Sequence, residues 1–338
     1  MTFVVRAARK EDVDQLYEMA KLTGGGFTNL PPDRGALTAK LARSEEAFAN
    51  GGKEPANDLY VLALENTETG LVRGTAQIFG AVGKRWPFYS YRITTYTQHS
   101  RELDRTFSSK ILQLTTDYEG ASEVGGLFLH PGERAGGLGK LLARSRYLFI
   151  AMHRERFGEK VIAELRGVID EAGGSAFWDA LAGKFFGMTF QEADEFNATH
   201  GNQFIADLMP KHPIYLDMLP ESARHVISQP HPSGRAAMRM LENEGFQHKG
   251  YIDIFDGGPT MEADLDEIRS VADSRTGTVV GTETANGTRS LAARGHLADF
   301  RCAYAEIAMQ GDGEVAIDKE GAAALGVSAG DEIRHVAS

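Results

Sequence analysis

The chain has 338 residues, 42% of them apolar, with 36 Lys and Arg against 47 Asp and Glu and a formal net charge of −11. That length allows more than one domain and that apolar share is enough for a core, while the negative charge argues against a nucleic-acid surface and against anionic membranes. A single cysteine, Cys302, excludes a disulfide within the chain; no apolar run reaches the ~20 residues of a membrane span and no signal-peptide pattern opens the sequence, so a cytoplasmic chain is expected.

Thr2 to Ala7 reads as a short strand, and Glu11-Asp12 opens a helix with Val13, Leu16, Tyr17 and Ala20 at helical spacing. Gly24-Gly25-Gly26 stops that helix, and Pro31-Pro32 marks the next one, to about Asn50. Leu59 to Glu65 and Val72 to Val82 are strand-like, with turn chemistry from Asn66 to Gly70 between them, an antiparallel hairpin. Tyr89 to Tyr96 is β-rich, and Ser109 to Thr116 is ambiguous between strand and helix. Val161 to Arg166 reads as a strand and Ser175 to Phe186 as one helix. Ala236 to Glu244 reads as a helix leading through Gly245-Phe246 into a strand, Gly250 to Phe255. The helix–glycine–aromatic order at Phe186-Gly187 and again at Gly245-Phe246 reads either as a second copy of a half-domain or as ordinary helix capping. Ser274 to Ser290 is rich in Gly, Thr and Ser; beyond it Phe300 to Met309, Glu314 to Ile317 and Glu332 to Val336 read as strands and Gly321 to Leu325 as a short helix, a small β-rich tail.

The stretch from Glu123 to Phe157 carries the most chemistry. An apolar strand, Val124 to Leu129, stops at His130-Pro131 and a glycine-rich turn follows, Arg134-x-x-Gly137-x-Gly139-Lys140. The helix after it repeats Leu138, Leu141, Leu142, Ser145, Leu148, Phe149 and Met152 at a 3.6-residue period. A strand ending in such a turn presents free backbone N–H groups at a helix N-terminus, an anion site, and glycines let a ligand approach the backbone closely. The spacing is neither the G-x-G-x-x-G of dinucleotide folds nor a Walker loop, because Lys140 is followed by Leu141. A phosphate-bearing ligand, a pyrophosphate above all, is therefore expected on Arg134, Gly136, Gly137, Gly139 and Lys140.

R-x-x-G-x-G after a strand, followed by helix, strand and helix, resembles the acyl-CoA-binding core of the GNAT N-acyltransferases. The blocks Thr23 to Pro31, Arg166 to Glu171, Leu208 to Tyr215 and Tyr251 to Thr260 narrow this: in order and over nearly the whole chain, they are similar to the arginine N-succinyltransferase family. The tail beyond about Asp273 resembles it least. The resemblance implies an α/β fold with a mixed, mainly antiparallel twisted sheet flanked by helices, partly duplicated, with a small β-rich C-terminal domain. The expected domains are 1–200, 201–273 and 274–338. It also implies succinyl transfer from succinyl-CoA to the α-amine of L-arginine, without a metal. The family also occurs as paired, related subunits, so a homodimer or a heterodimer with a related subunit is compatible with it.

The attacking amine must lose a proton, the oxyanion needs a donor and the leaving thiolate needs a proton. With no cysteine nucleophile near a motif, direct transfer is expected rather than a covalent acyl-enzyme. The resemblance places Leu127 at the thioester, through its backbone N–H, and gives His231 the look of the proton donor; His212, in Lys211-His212-Pro213, is the rival. A guanidinium suits a bidentate carboxylate, with Glu164, Asp170, Glu171, Asp253 and Asp256 as candidates, Asp256 reading more as a turn former. The succinyl carboxylate needs a cation or backbone donors, and Arg92, Arg166 and Lys211 are open choices. The Gly24 to Gly26 run lines the acyl pocket or merely caps a helix.

Overall fold

The computed structural model describes residues 2–23, 29–134, 136–200, 203–284 and 286–338. In chain order the strands are β1 (Phe3–Ala7), β2 (Leu59–Asn66), β3 (Val72–Phe79), β4 (Ser90–Ser100), β5 (Arg105–Thr115), β6 (Ser122–Leu129), β7 (Lys160–Glu164), β8 (Ile214–Tyr215), β9 (Gln247–Ile252), β10 (Pro259–Asp264), β11 (Arg275–Gly281), β12 (Thr288–Arg294), β13 (Arg301–Gly311), β14 (Glu314–Ile317) and β15 (Glu332–Ala337). The helices are α1 (Val13–Ala20), α2 (Arg34–Ala49), α3 (Leu138–Met152), α4 (Ala176–Ala180), α5 (Gly183–Phe186), α6 (Phe190–His200), α7 (Gln203–Leu208), α8 (Glu221–Val226), α9 (Arg235–Asn243), α10 (Arg269–Ala272) and α11 (Lys319–Leu325). No helix of the described residues is long and apolar enough to cross a membrane.

The chain forms two compact units, and neither is continuous in sequence. Met1–Ala81, Ser122–Glu159 and Asp264–Ser338 make the first, Val82–Ala121 and Lys160–Ala263 the second. In the first unit β1, β2, β3 and β6 follow one another in an antiparallel sheet. The β2–β3 turn is held as expected, with Asn66 Oδ1 accepting from Glu68 and Thr69 N–H and Gly70 at φ +69°. β2 is buried on both faces, which is why it reads as a continuous apolar run. Helices α1 and α2 pack through Leu16, Met19, Leu37 and Leu41 on Val61 and Ala63. Asp33 caps α2, its carboxylate accepting from Ala36 N–H at 2.6 Å. Helix α3 is buried over Leu141–Ala143 and Ser145–Ile150, well beyond the single apolar face of its 3.6-residue period.

The tail is more than an appendage. β11 to β15 close on themselves in the order β12-β15-β11-β14-β13, with β13 returning to β12, a five-stranded barrel without free edges. β13 also pairs with β1 through Val5↔Cys302 and Arg6↔Arg301, so the barrel shares a strand with the N-terminal sheet. This non-local pairing places residues 274–338 in the same unit as residues 1–81, where a linear reading separates them. It also turns the Gly/Thr/Ser-rich Ser274–Ser290 run into β11 and the start of β12.

In the second unit the order is β7-β10-β9-β4-β5-β8. Its core gathers Tyr91, Leu112, Phe177, Trp178, Ile252 and Ile254, with Trp178 stacked between Phe186 at 5.6 Å and Phe255 at 5.8 Å. The expected boundary at residue 200 falls inside this unit. The ambiguous 109–116 run is strand through Thr115, paired with β4. The single helix expected over 175–186 is two, broken where Leu181 leaves helical backbone at φ −124°, ψ −86°. Gly187 and Gly245 both have positive φ at helix ends, but the chain enters α6 after the first and β9 after the second. The helix–glycine–aromatic echo is therefore shared helix capping and does not mark equivalent positions.

His153 ties the barrel to α3. Its Nδ1–H donates to Phe149 O at 2.8 Å and its Nε2 accepts from Leu297 N–H at 3.1 Å. The ring is fully enclosed and neutral: burial first, then His296 and Arg156, push its pKa from 6.5 down to about 4. Because the folded value lies below the unfolded one, this contribution is present above pH 6.5 and is lost as pH falls toward 4. The stability gap between wild type and His153→Gln, measured by urea unfolding, should therefore narrow by about 2 kcal/mol between pH 7 and pH 5. A gap that does not change with pH contradicts this assignment.

Candidate functional site

Strand β6 is interrupted where the sequence places Leu127. Its pairing with β3 runs Thr75↔Phe128 and then Gln77↔Gly125, so Gly126 and Leu127 together face Ala76. Such a bulge takes backbone groups out of the ladder and bends the strand. Gly126 makes it possible: its φ is +56°, and a Cβ there would lie 2.6 Å from the Gln77 side chain. Under the bulge, Gln77 Nε2 and Lys40 Nζ both donate to Asn29 O, at 2.7 and 2.6 Å. Burial pushes the Lys40 ammonium down to about 8. Thr75 Oγ1 and Gln77 Oε1 are buried without a hydrogen-bond partner among the described residues. Sequence reasoning missed Lys40, Thr75 and Gln77; two polar residues inside the apolar Gly74 to Phe79 run were the available signal.

The chain leaves β6 through His130, which caps a short 3₁₀ turn, Pro131–Glu133. His130 Nδ1 accepts from Gly132 N–H at 3.1 Å and from the Arg73 guanidinium at 2.8 Å, and Arg73 also pairs with Glu133. Gly136 and Gly137 then take φ +70° and +81°, and Gly137 caps α3 with no side chain to satisfy the first-turn N–H groups. Its carbonyl accepts from Lys140 and Leu141 N–H at 3.0 and 3.1 Å. Arg134, Gly136, Gly137 and Lys140 are exposed and Gly139 half-buried, so the structure brings the whole expected anion loop to one helix end. At Gly139 the nearest atom to an added Cβ is 3.9 Å away, ordinary contact, so packing within the chain does not require glycine there. The Gly24 to Gly26 run lies outside the described residues.

In the second unit, Gly167 and Pro230 form an isolated antiparallel bridge, and His231 N–H donates to Arg166 O at 2.7 Å. The His231 ring repeats the His130 geometry: it caps the turn Pro232–Gly234, its Nδ1 accepting from Ser233 N–H at 3.3 Å and lying 2.7 Å from Ser233 Oγ. Here the sequence does hold an internal echo, His-Pro before α3 and again before α9, that the aromatic pattern obscured. Burial and the Arg166 charge hold the His231 pKa below its ordinary value. Arg166 is half-buried, and its Nε is buried without a hydrogen-bond partner among the described residues. Beside it, the Asp256 carboxylate accepts from Gly167 and Gly258 N–H, both at 2.8 Å. Burial, then the neighbouring Asp253, push the Asp256 carboxyl above its ordinary range, opposed by the Gly167 and Gly258 N–H groups and by Arg166.

Of the other expected substrate ligands, Asp253 adjoins this group. Asp253 Oδ1 accepts from Phe255 and Asp256 N–H at 2.6 and 3.0 Å, a turn former like Asp256. Asp170 Oδ1 accepts from Ala172 and Gly174 N–H at 2.9 and 2.7 Å in an exposed turn. Arg92 faces Asp117 at 3.7 Å and lies over the Tyr251 ring. Glu171, Lys211 and His212 are exposed. The structure thus groups His231, Arg166 and Asp256, and leaves Asp170, Glu171 and His212 outside that hydrogen-bonded group.

The comparisons with known proteins agree over nearly the whole length. A family model described as arginine N-succinyltransferase beta subunit matches residues 3–270, and a second, for its C-terminal domain, matches residues 275–337. An arginine N-succinyltransferase of Citrobacter koseri is 45% identical over 285 residues, 84% of this chain and 82% of the relative. One of Escherichia coli K12 is 44% identical over the same shares. Among solved structures, the arginine/ornithine succinyltransferase subunit AI from Pseudomonas aeruginosa is 34% identical with a TM-score of 0.88, covering 99% of this chain and 98% of that one. The chain belongs to the arginine N-succinyltransferase family.

Proposed function

We propose that this chain transfers a succinyl group from succinyl-CoA to the α-amine of L-arginine by direct attack in a ternary complex. Family membership supports the reaction. The observation that carries the acyl-CoA half is one strand–turn–helix, β6 to α3, with its backbone freed at the Gly126–Leu127 bulge and again at the Gly136–Gly137 turn. In this reading Leu127 N–H meets the thioester carbonyl, where negative charge develops in the tetrahedral intermediate. The first-turn N–H groups of α3, with Arg134 and Lys140, take the pyrophosphate. The room at Gly139 admits a ligand against the backbone.

His231 delivers the proton that the leaving thiolate needs. Ser233 holds Nδ1, which leaves Nε2 as the edge that exchanges a proton with a ligand. Arg166, whose Nε has no hydrogen-bond partner among the described residues, is the cation for a substrate carboxylate. Asp170, Asp253 and Asp256 spend oxygens on backbone turns, and exposed Glu171 is the carboxylate we assign to the guanidinium. Cys302 is fully buried and burial pushes its thiol up, so it is no acyl carrier. The words beta subunit and subunit AI in the names of its relatives favour a second reading, a chain that needs a related subunit for activity.

Thiol release by the purified chain over a panel of acyl-CoA donors and amine acceptors tests the reaction. Turnover should be greatest with succinyl-CoA and arginine; none without a related subunit favours the second reading, and a clear preference for another pair sinks the first. His231→Ala should lower kcat by about 10²- to 10⁴-fold, and an unchanged rate removes His231 from the chemistry. An NMR titration should place the His231 ring below 6.5 in wild type and higher in Arg166→Gln, because removing the nearby cation favours the imidazolium. Identical titrations contradict the coupling.

A further inference from the structure

The Gly136–Gly137 turn is gripped from behind by the C-terminal barrel. Tyr304 Oη, on β13, donates to Gly137 O at 3.0 Å. Arg289, on β12, donates to Gly136 O at 3.5 Å. The Arg289 guanidinium lies 4.2 Å from the centre of the Tyr304 ring, a cation–π contact. Arg289 pairs with Glu306 across the two strands, which makes Tyr304 its diagonal neighbour on the same barrel face. Burial pushes the Tyr304 hydroxyl above its ordinary pKa, so it keeps its proton and donates. A cavity of about 350 Å³ opens at this junction, lined by Gly136, Leu138 and Leu141 together with Arg289, Tyr304 and Glu306.

The peptide group is planar, and its C=O and N–H point in opposite directions. Gly137 O shares a plane with Leu138 N–H, and Gly136 O shares one with Gly137 N–H. A donor that fixes either carbonyl therefore aims the matching N–H away from the barrel. Both glycines take positive φ, +70° and +81°, and Gly137 has no side chain to cap the helix; its carbonyl already accepts from Lys140 and Leu141 N–H, and Tyr304 adds a donor from the barrel side. A Cβ on Gly137 would stand 3.3 Å from Tyr304 Oη, so the contact is close as well as directed.

We propose that Tyr304, backed by Arg289, is a positioning residue for acyl-CoA: the barrel holds the carbonyls of Gly136 and Gly137 so that the opposite N–H groups face the phosphates. This rests on the reading of that turn as the acyl-CoA phosphate site. It gives the C-terminal barrel a part in binding acyl-CoA through the backbone of the turn.

Tyr304→Phe keeps the ring and its stacking and removes only the hydroxyl that donates to Gly137 O. Loss of a single neutral hydrogen bond should raise the Kd for CoA, by calorimetry, and the KM for succinyl-CoA by about three- to tenfold. In the same variant kcat and the KM for arginine should stay within about twofold, a split that general loosening of the fold does not produce. Arg289→Gln should move the same constants in the same direction. Arg134→Gln, outside the barrel, serves as the control on the site itself. If Arg134→Gln weakens CoA binding and Tyr304→Phe does not, the positioning role is wrong and the phosphate site stands. If neither variant changes CoA affinity, the turn is not the phosphate site and both readings fall. A rise in both KM values together in Tyr304→Phe also overturns the proposal.

Discussion

Regular hydrogen bonding breaks twice on the segment from β6 to α3, at Gly126 and at Gly136–Gly137, and each break needs backbone at positive φ. Most residues pay a steric penalty there and glycine does not. The rest of the first unit serves to keep those breaks in place. β3 supplies Gln77 under the bulge, Asn29 receives both Gln77 and Lys40, and the barrel supplies Tyr304 behind the turn. Unsatisfied backbone donors are expensive to hold in a folded chain, so a site made of them must be over-determined by its neighbours.

Helix α3 carries this burden. Its enclosure on nearly every side fixes the direction of its N-terminus, where a helix exposed on one face would leave it free to tilt. Phe149 alone makes ring contacts with Phe48, Tyr60, Phe157 and Phe300, contributed by α2, β2 and the segments that follow α3 and precede β13. His153 closes the far end by joining α3 to the barrel through Leu297. Both ends of one helix are thus held by the barrel, at Gly137 and at His153. A tail that shares β13 with the N-terminal sheet can do this; one on a flexible linker could not.

Local signals and non-local ones fared differently. The β2–β3 hairpin, β6 and α3 were legible because each announces itself within a dozen residues: an apolar run, an Asn–Gly turn, a 3.6-residue period. β11 was not, because Thr and Gly in Arg275–Gly281 read as loop until β14 and β15 pair with them. β10 opens with a proline and carries acidic residues, which hid a buried strand. The break in the 175–186 helix follows Leu181, whose residue type gives no warning. The positive-φ turn before α3 was visible in its glycine spacing, and Gly125-Gly126 inside a strand hinted at the bulge. Tyr304, Arg289 and Lys40 have no local signature at all, because their work is defined by residues 137, 136 and 29. Asp170 and Asp253 could be read from the sequence as ligands or as turn formers, because a carboxylate at a strand end suits both, and the structure shows their turn bonds.

The central claim is direct transfer between two substrates bound together, and initial-velocity kinetics of the purified chain test it most directly. Varying arginine at several fixed concentrations of succinyl-CoA should give intersecting double-reciprocal lines, with N2-succinylarginine identified by NMR as the product. Parallel lines would show that the acyl group passes through the protein first, and a product succinylated elsewhere on arginine would show that the amine is bound another way round.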